Sequence, residues 1–271
     1  MRPIRIATRG SEQAMAQTSA IAERLRVTCG VDVELVTVQT SGDRDKLTPL
    51  AQLGGRGVFV KEVQQAVIFG DADIAVHSAK DLPSSWTTDG LVLASIPKRG
   101  NPFDALVGMR LEEIREGGTI ATGSVRREAQ LAAMRNDLKF VGLRGNIPAR
   151  VAKADRPEID AVVVAIAGVE WIQLDGRIAQ RFTLNEMIPQ VGQGALAIEC
   201  RTDDHETREA LQLIEDERSR RAVDCERAFL AHLGGGCDVP VVAAVAGAAR
   251  SCNCLVRGFV FSDRVDRPVA G

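Results

Sequence analysis

Arginine recurs beside small residues in Thr8-Arg9-Gly10-Ser11, Gly123-Ser124-Val125-Arg126-Arg127 and Leu143-Arg144-Gly145-Asn146, with Arg150 about one helical turn beyond the last. In each segment an apolar, strand-like run gives way to a helix-like one. A helix N-terminus presents free backbone N–H groups and the positive end of its dipole, so an arginine placed there adds to an anion site. The planar guanidinium grips a carboxylate through two parallel hydrogen bonds. A single arginine of this kind is adequately explained as solvated surface. Repetition at strand ends points instead to one cleft suited to a ligand with several carboxylates. Phosphate stays open as an alternative, although no Walker loop or G-x-G-x-x-G accompanies these residues.

A second polar set, His77-Ser78-Ala79-Lys80-Asp81-Leu82-Pro83, closes an apolar strand. Asp81 could cap a turn before Pro83 and Lys80 could face solvent. Read chemically, a carboxylate surrounded by arginines stays ionised and can stabilise a developing cation. The third feature is Cys237 in Gly234-Gly235-Gly236-Cys237-Asp238-Val239-Pro240. Small neighbours leave its sulfur accessible, whereas a lone cysteine is more often a small buried hydrophobe. His77, His205 and His232 form no ligand or triad pattern.

The elements that must hold these residues follow from periodicity. Ile4 to Thr8 reads as a strand, Glu12 to Leu25 as a helix after Ser11, Val33 to Gln39 as a strand, Val58 to Phe69 as a helix closed by Gly70, and Ile74 to His77 as a strand. Between them, Thr40 to Gly57 is a long loop of a functional kind. A second series opens at Thr119 to Thr122, with helices at Val125 to Met134 and Pro148 to Ala154 and strands at Leu138 to Leu143 and Ala161 to Ile166. Strands alternating with helices predict largely parallel sheets, and two series joined near Lys98 to Pro102 predict two α/β domains with a ligand cleft between them. From Glu215 onward, a helix through Leu233 and strand-like runs at Val239 to Ala246 and Cys254 to Phe261 predict a smaller α+β domain.

At 271 residues the chain has room for two or three domains. Its 45% hydrophobic and 26% charged residues are the balance of a soluble globular protein. No apolar run approaches the ~20 residues that span a bilayer, and no signal-peptide core follows Met1-Arg2-Pro3, so a cytoplasmic protein without a membrane partner is expected. In that compartment the six cysteines stay reduced. Cys252-Asn253-Cys254 has the wrong spacing for a zinc knuckle, so no metal is expected. The net charge of -2 and 4% aromatic content disfavour nucleic acid.

The segments IATRGS, LGGRGVFVKE, HSAKDLP, GSVRR, LRGNIPAR, AVVVAIAG, VGQGALAIECR and ERAFLAHLGGGCDVP stand in an order and spacing that resemble the porphobilinogen deaminases, also called hydroxymethylbilane synthases. The resemblance covers nearly the whole chain. It implies two α/β domains like those of periplasmic binding proteins plus a small α+β C-terminal domain, here 1–97 with 194–213, 98–193, and 214–271. It also implies a transferase of haem and tetrapyrrole biosynthesis, working as a monomer. Four porphobilinogen molecules are joined head to tail with loss of ammonia, giving the linear tetrapyrrole hydroxymethylbilane. The implied cofactor is dipyrromethane, held by a thioether to Cys237 as a permanent tether. Each ring brings an acetate and a propionate.

By the same resemblance, Asp81 is the catalytic aspartate that accepts pyrrole N–H hydrogen bonds and stabilises the cationic azafulvene, with Lys80 beside it. Cofactor contacts fall on Lys80, Asp81, Thr122, Ser124, Arg126, Arg127, Arg144 and Gly145, and substrate contacts on Arg9, Ser11, Phe59, Arg144, Arg150 and Gln193. Gln193 and Gly194 are expected in a hinge. Three departures stand out. Glu170-Trp171 occupies a place where the family usually has a basic residue, with Arg177 nearby; Arg56 replaces a common lysine; and the chain stops at Gly271, where relatives commonly continue through another helix. A non-catalytic two-domain clamp for small polycarboxylates is the rival reading, and it has no need of Asp81 together with Cys237.

Overall fold

The computed structural model describes residues 2–40, 59–83 and 88–232, and the backbone of 241–248 and 254–260. The first unit runs β1 (Ile4–Arg9), α1 (Glu12–Cys29), β2 (Val33–Val38), α2 (Lys61–Ile68), β3 (Ile74–Ser78) and β4 (Leu91–Ser95). Ser11 starts α1 by accepting a hydrogen bond from the Ala14 N–H at 3.3 Å, and Gly30, at φ 65°, ends it by donating back to Arg26. The apolar stripe Ile21, Ala22 and Leu25 faces the sheet, packing on Ile4, Ile6, Ile74 and Ile198.

The second unit runs β5 (Asp104–Gly108), β6 (Thr119–Ala121), α3 (Val125–Met134), β7 (Lys139–Val141), α4 (Ile147–Ala152), β8 (Ala161–Ala165), α5 (Ile166–Glu170) and β9 (Ile178–Arg181). Its core gathers Leu106, Ile120, Leu131, Val163 and Phe182. The chain then returns through β10 (Leu196–Arg201) and α6 (His205–Gln212) to α7 (Glu217–His232) and the antiparallel hairpin β11 (Val241–Ala248) and β12 (Cys254–Val260).

The sheets differ from the sequence expectation in one respect: they are mixed, not largely parallel. The first has the order β2-β1-β3-β10-β4 and the second β7-β6-β8-β5-β9. β1 lies parallel to β2 and β3, whereas β10 is antiparallel to both β3 and β4. In the second sheet β6 is parallel to β7 and β8, while β5 is antiparallel to β8 and β9. The reversed strands β5 and β10 are the ones the chain enters on crossing between units. A short crossing delivers the chain at the near end of the new sheet, so it runs against strands whose parallel neighbours need a helical crossover. β4, β5, β9 and β10 and helices α5 and α6 are additions to the elements read from periodicity.

The two crossings, 96–103 and 182–195, touch. The Gly100 N–H donates to the Gly194 carbonyl at 3.0 Å. Gly194 sits at φ 81°, and a Cβ there would lie 2.6 Å from the Asn101 carbonyl oxygen. Helix α7 fastens both crossings. The Arg99 guanidinium donates to the two Glu226 oxygens at 2.7 and 3.1 Å and to the Gln193 carbonyl at 2.8 Å, and Glu226 also accepts from the Gly192 N–H at 2.8 Å. Next to it, the buried Arg227 donates to the carbonyls of Ala79, Leu82 and Pro83. Among the described residues no helix is long and apolar enough to cross a membrane, and no cluster of His, Cys, Asp or Glu could hold a metal.

Gly194→Ala forces both a left-handed backbone and a clash with Asn101, so it is expected to cost about 2 kcal/mol or more in a urea titration. Gly176→Ala, at a position with open space around its Cβ, serves as the control and changes the midpoint little.

Candidate active site

β3 ends in a 3-10 turn, Ala79–Asp81, which turns Lys80 and Asp81 out beyond the sheet. β1 lies parallel to β3, so Arg9 and Ser11 leave the same edge of the first sheet. The Arg9 guanidinium stacks over the Phe59 ring at 4.1 Å from its centroid, a cation–π contact that fixes its direction.

In the second sheet the close approach of β6 to the end of β7 sets the starts of α3 and α4 side by side, since a Cβ on Gly123 would lie 2.6 Å from the Leu143 carbonyl oxygen. Thr122 is buried and its hydroxyl accepts from the Ser124 N–H at 3.2 Å, and Ser124 is the N-cap of α3. Gly145, at φ 110°, allows Asn146 to cap α4, and Arg150 reaches back to donate to the Gly145 carbonyl at 2.7 Å.

Arg126 and Arg127 converge on Asp104, the first residue of β5. Arg126 Nη2 lies 3.0 Å from Oδ2, while Arg127 places Nη2 at 2.7 Å and Nε at 3.1 Å from Oδ1. Gln193 Nε2 donates to the same oxygen at 2.8 Å. Asp104 is fully buried. Burial acts to raise its pKa, but the Arg127 and Arg126 guanidiniums, with hydrogen bonds from Arg127 and Gln193, hold the carboxyl well below the usual carboxylate range. The other end of the Gln193 amide faces the first unit: Oε1 accepts from Lys80 Nζ at 3.3 Å.

Lys80 and Arg150 record the field of this region. Burial pushes the Lys80 amine down to about 8, Arg127 and Arg150 push the same way, and Asp81 and Asp104 oppose them. Burial likewise lowers Arg150 to about 10, helped by Arg127 and Arg144 and opposed by Asp81. Lys80, Asp81, Gln193, Arg126, Arg127, Arg144 and Arg150 therefore share one electrostatic neighbourhood drawn from both units. Cys237 lies outside the described residues, as do Ser41 to Val58 of the long loop. Arg177 pairs with Asp155 at 2.5 Å on the surface. Sequence alone gives Asp104 no role, since its only signal is a single acid leading an apolar strand.

The family model for porphobilinogen deaminase, dipyromethane cofactor binding domain, matches residues 4–209. Porphobilinogen deaminase from Syntrophus aciditrophicus is 43% identical over 244 residues, spanning 89% of this chain and 79% of the relative. The enzyme of the same name from Brevibacillus brevis is 42% identical over 241 residues, 88% and 78% of the two chains. A solved structure of the methionine binding protein MetQ shares 15% identity over 86% of this chain and 96% of its own, with a TM-score of 0.46.

Asp104→Ala leaves two buried guanidiniums uncompensated, and chemical denaturation is expected to show a loss of about 3–5 kcal/mol. The Lys80 amine is expected to react with an amine-directed reagent along a titration centred near pH 8, read by peptide mapping; a midpoint near the ordinary 10.5 refutes this. Because the folded value is the lower one, the penalty for burying the ammonium is complete below pH 8 and fades as the pH rises towards 10.5.

Proposed function

The chain belongs to the porphobilinogen deaminase family, and we propose that the cationic region where its two sheets meet holds the dipyrromethane cofactor and porphobilinogen. The family's reaction is a transferase reaction: four porphobilinogen molecules condense head to tail, each losing ammonia, to give hydroxymethylbilane. The observation that carries the placement is charge imbalance. Lys80, Arg126, Arg127, Arg144 and Arg150 are set against Asp81 and Asp104, and at Lys80 and Arg150 burial and, after it, repulsion from Arg127 both lower the pKa. Such a cluster suits a guest with four carboxylates, as two rings bearing an acetate and a propionate each would provide. When bound, dipyrromethane supplies a free pyrrole α-carbon as the primer for chain growth.

Arg144 and Arg150 pair with ring carboxylates, and Arg126 and Arg127, held by Asp104, present the rest of the positive field in a fixed direction. Thr122, Ser124 and Gly145 complete the cofactor side at the starts of α3 and α4. Arg9, Ser11, Phe59 and Gln193 form the substrate side. Asp81 accepts pyrrole N–H hydrogen bonds and offsets the positive charge left on the incoming ring as ammonia departs. Lys80, with a proton that comes off near pH 8, is placed to hold or release one at the bond being made. Cys237 follows α7 and provides the tether.

We assign residues 1–97 with 194–213 to the first domain, 98–193 to the second and 214–271 to the third, an assignment supported by the membership of β10 in the first sheet. The protein is proposed to act as a monomer in the cytoplasm, without nucleic acid or membrane. Its net charge of -2 disfavours nucleic acid.

Intact-mass analysis with peptide mapping is expected to find the dipyrromethane mass on the Cys237 peptide, and incubation with porphobilinogen to give bilane. Asp81→Asn is expected to retain the covalent mass and lose about 10²–10³-fold in kcat. Unmodified Cys237 without bilane formation refutes the enzyme reading, and full turnover by Asp81→Asn refutes the role of the aspartate.

A further inference from the structure

Trp171 follows the last residue of α5 and is half-buried. It is carried rigidly by the second unit. Val169 is buried among Val107, Val162 and Val164, the Leu174 N–H closes the helix end on the Val169 carbonyl at 2.9 Å, and Glu170 pairs with Arg181 of β9 at 3.5 Å. The indole itself, however, packs against the core of the first unit, the cluster that contains Ile4, Ile21, Leu25 and Ile198. A neighbouring approach agrees: a Cβ on Gly168 of α5 would lie 3.9 Å from Gln13 Oε1 in the first turn of α1.

The two units are thus joined at two kinds of place. One is covalent, the paired crossings at Gly100 and Gly194. The other is the seat of Trp171 on the first unit, whose helix α1 begins just after Arg9. An aromatic ring in an apolar seat is a strong, salt-insensitive contact, unlike the ion pair a basic residue would make. Any rotation that separates the units about the crossings must pull the ring out into water.

We propose that Trp171 is an apolar latch that holds the two α/β units closed against each other in the free enzyme, and that its release sets how far the cleft opens. A consequence for chain growth, resting on the reading of this site as a porphobilinogen deaminase, is that the latch limits the room available to later rings.

The test uses the purified holoenzyme. Small-angle scattering of Trp171→Ala is expected to shift to a larger radius of gyration, because truncating a half-buried aromatic at an interface lowers the closed-to-open ratio by roughly tenfold or more. Trp171→Phe, which keeps an apolar ring, stays close to the wild type. With Trp86→Phe, Trp171 is the sole tryptophan of the two in the sequence. Its emission is then expected to be shielded from acrylamide and to become more quenchable when porphobilinogen is added. Identical scattering from folded Trp171→Ala and wild type overturns the latch, as does a Trp171 as quenchable in the free enzyme as in urea. A tryptophan with a merely structural role lowers stability without altering the scattering of the folded protein. Should Trp171→Ala fail to fold, the quenching measurement decides alone. The scattering and the quenching of the free enzyme need no turnover, so absence of bilane formation by the wild-type holoenzyme together with a shift in scattering for Trp171→Ala counts against the functional reading and leaves the latch standing.

Discussion

A carboxylate with no access to water is held at the start of β5, and most of the site hangs from it. Asp104 would be intolerable there without partners, since burying a lone charge costs more than the fold can supply. It takes two arginines from α3 and the amide of Gln193 from the returning chain. Each partner is thereby fixed in turn. Arg126 and Arg127 are pinned to one orientation, Gln193 is pinned between the crossings, and the other end of its amide reaches Lys80 in the opposite unit. A single buried charge thus orders groups from both sheets and from the segment between them.

That arrangement separates the arginines into two kinds. Arg126 and Arg127 commit hydrogen bonds to Asp104, yet Arg127 still depresses the pKa values of Lys80 and Arg150. Its charge is structural in bonding and electrostatic in effect. Arg144 and Arg150 lie further out on the same side and add to the field. The protein therefore folds around an excess of positive charge, a local cost of the kind that a bound polycarboxylate would relieve.

Much of this was legible in the sequence because it obeys local rules. The Ser11 cap, the span of α3 and the apolar β8 follow from periodicity and capping and appear where expected. The strands that escaped, β5 and β10, are antiparallel insertions whose pairing depends on a distant segment, and no local pattern announces orientation. Asp104 escaped for a related reason. In Phe103-Asp104-Ala105-Leu106 an acid looks like a strand boundary, and only the return of Arg126, Arg127 and Gln193 from 22 or more positions away makes it a hub. Sequence likewise shows the guanidiniums of Arg126 and Arg127 but not the carboxylate of Asp104 that lies between them. Glu226 and Arg227, although part of a quoted motif, carry no legible role in sequence for the same reason, since their partners sit in the crossings and the Ala79–Asp81 turn.

The position of these fastenings also determines what can move. Gly100 and Gly194 are in hydrogen-bond contact, and Arg99, Glu226 and Gly192 tie the crossings to α7, so any relative rotation of the units would pivot there. Lys80 touches Gln193 in the returning crossing itself, and Arg227 holds the carbonyls of the turn that carries Lys80 and Asp81. Groups near a pivot travel little. Arg144 and Arg150 follow β7, the edge strand on the far side of its sheet from the crossing strand β5, and so would swing through a longer arc in such a rotation. On the proposed reading, an enzyme that makes the same bond repeatedly while its product lengthens is served by this division: Lys80 and Asp81 would stay in register near the crossings, and Arg144 and Arg150 would give way as the chain grows.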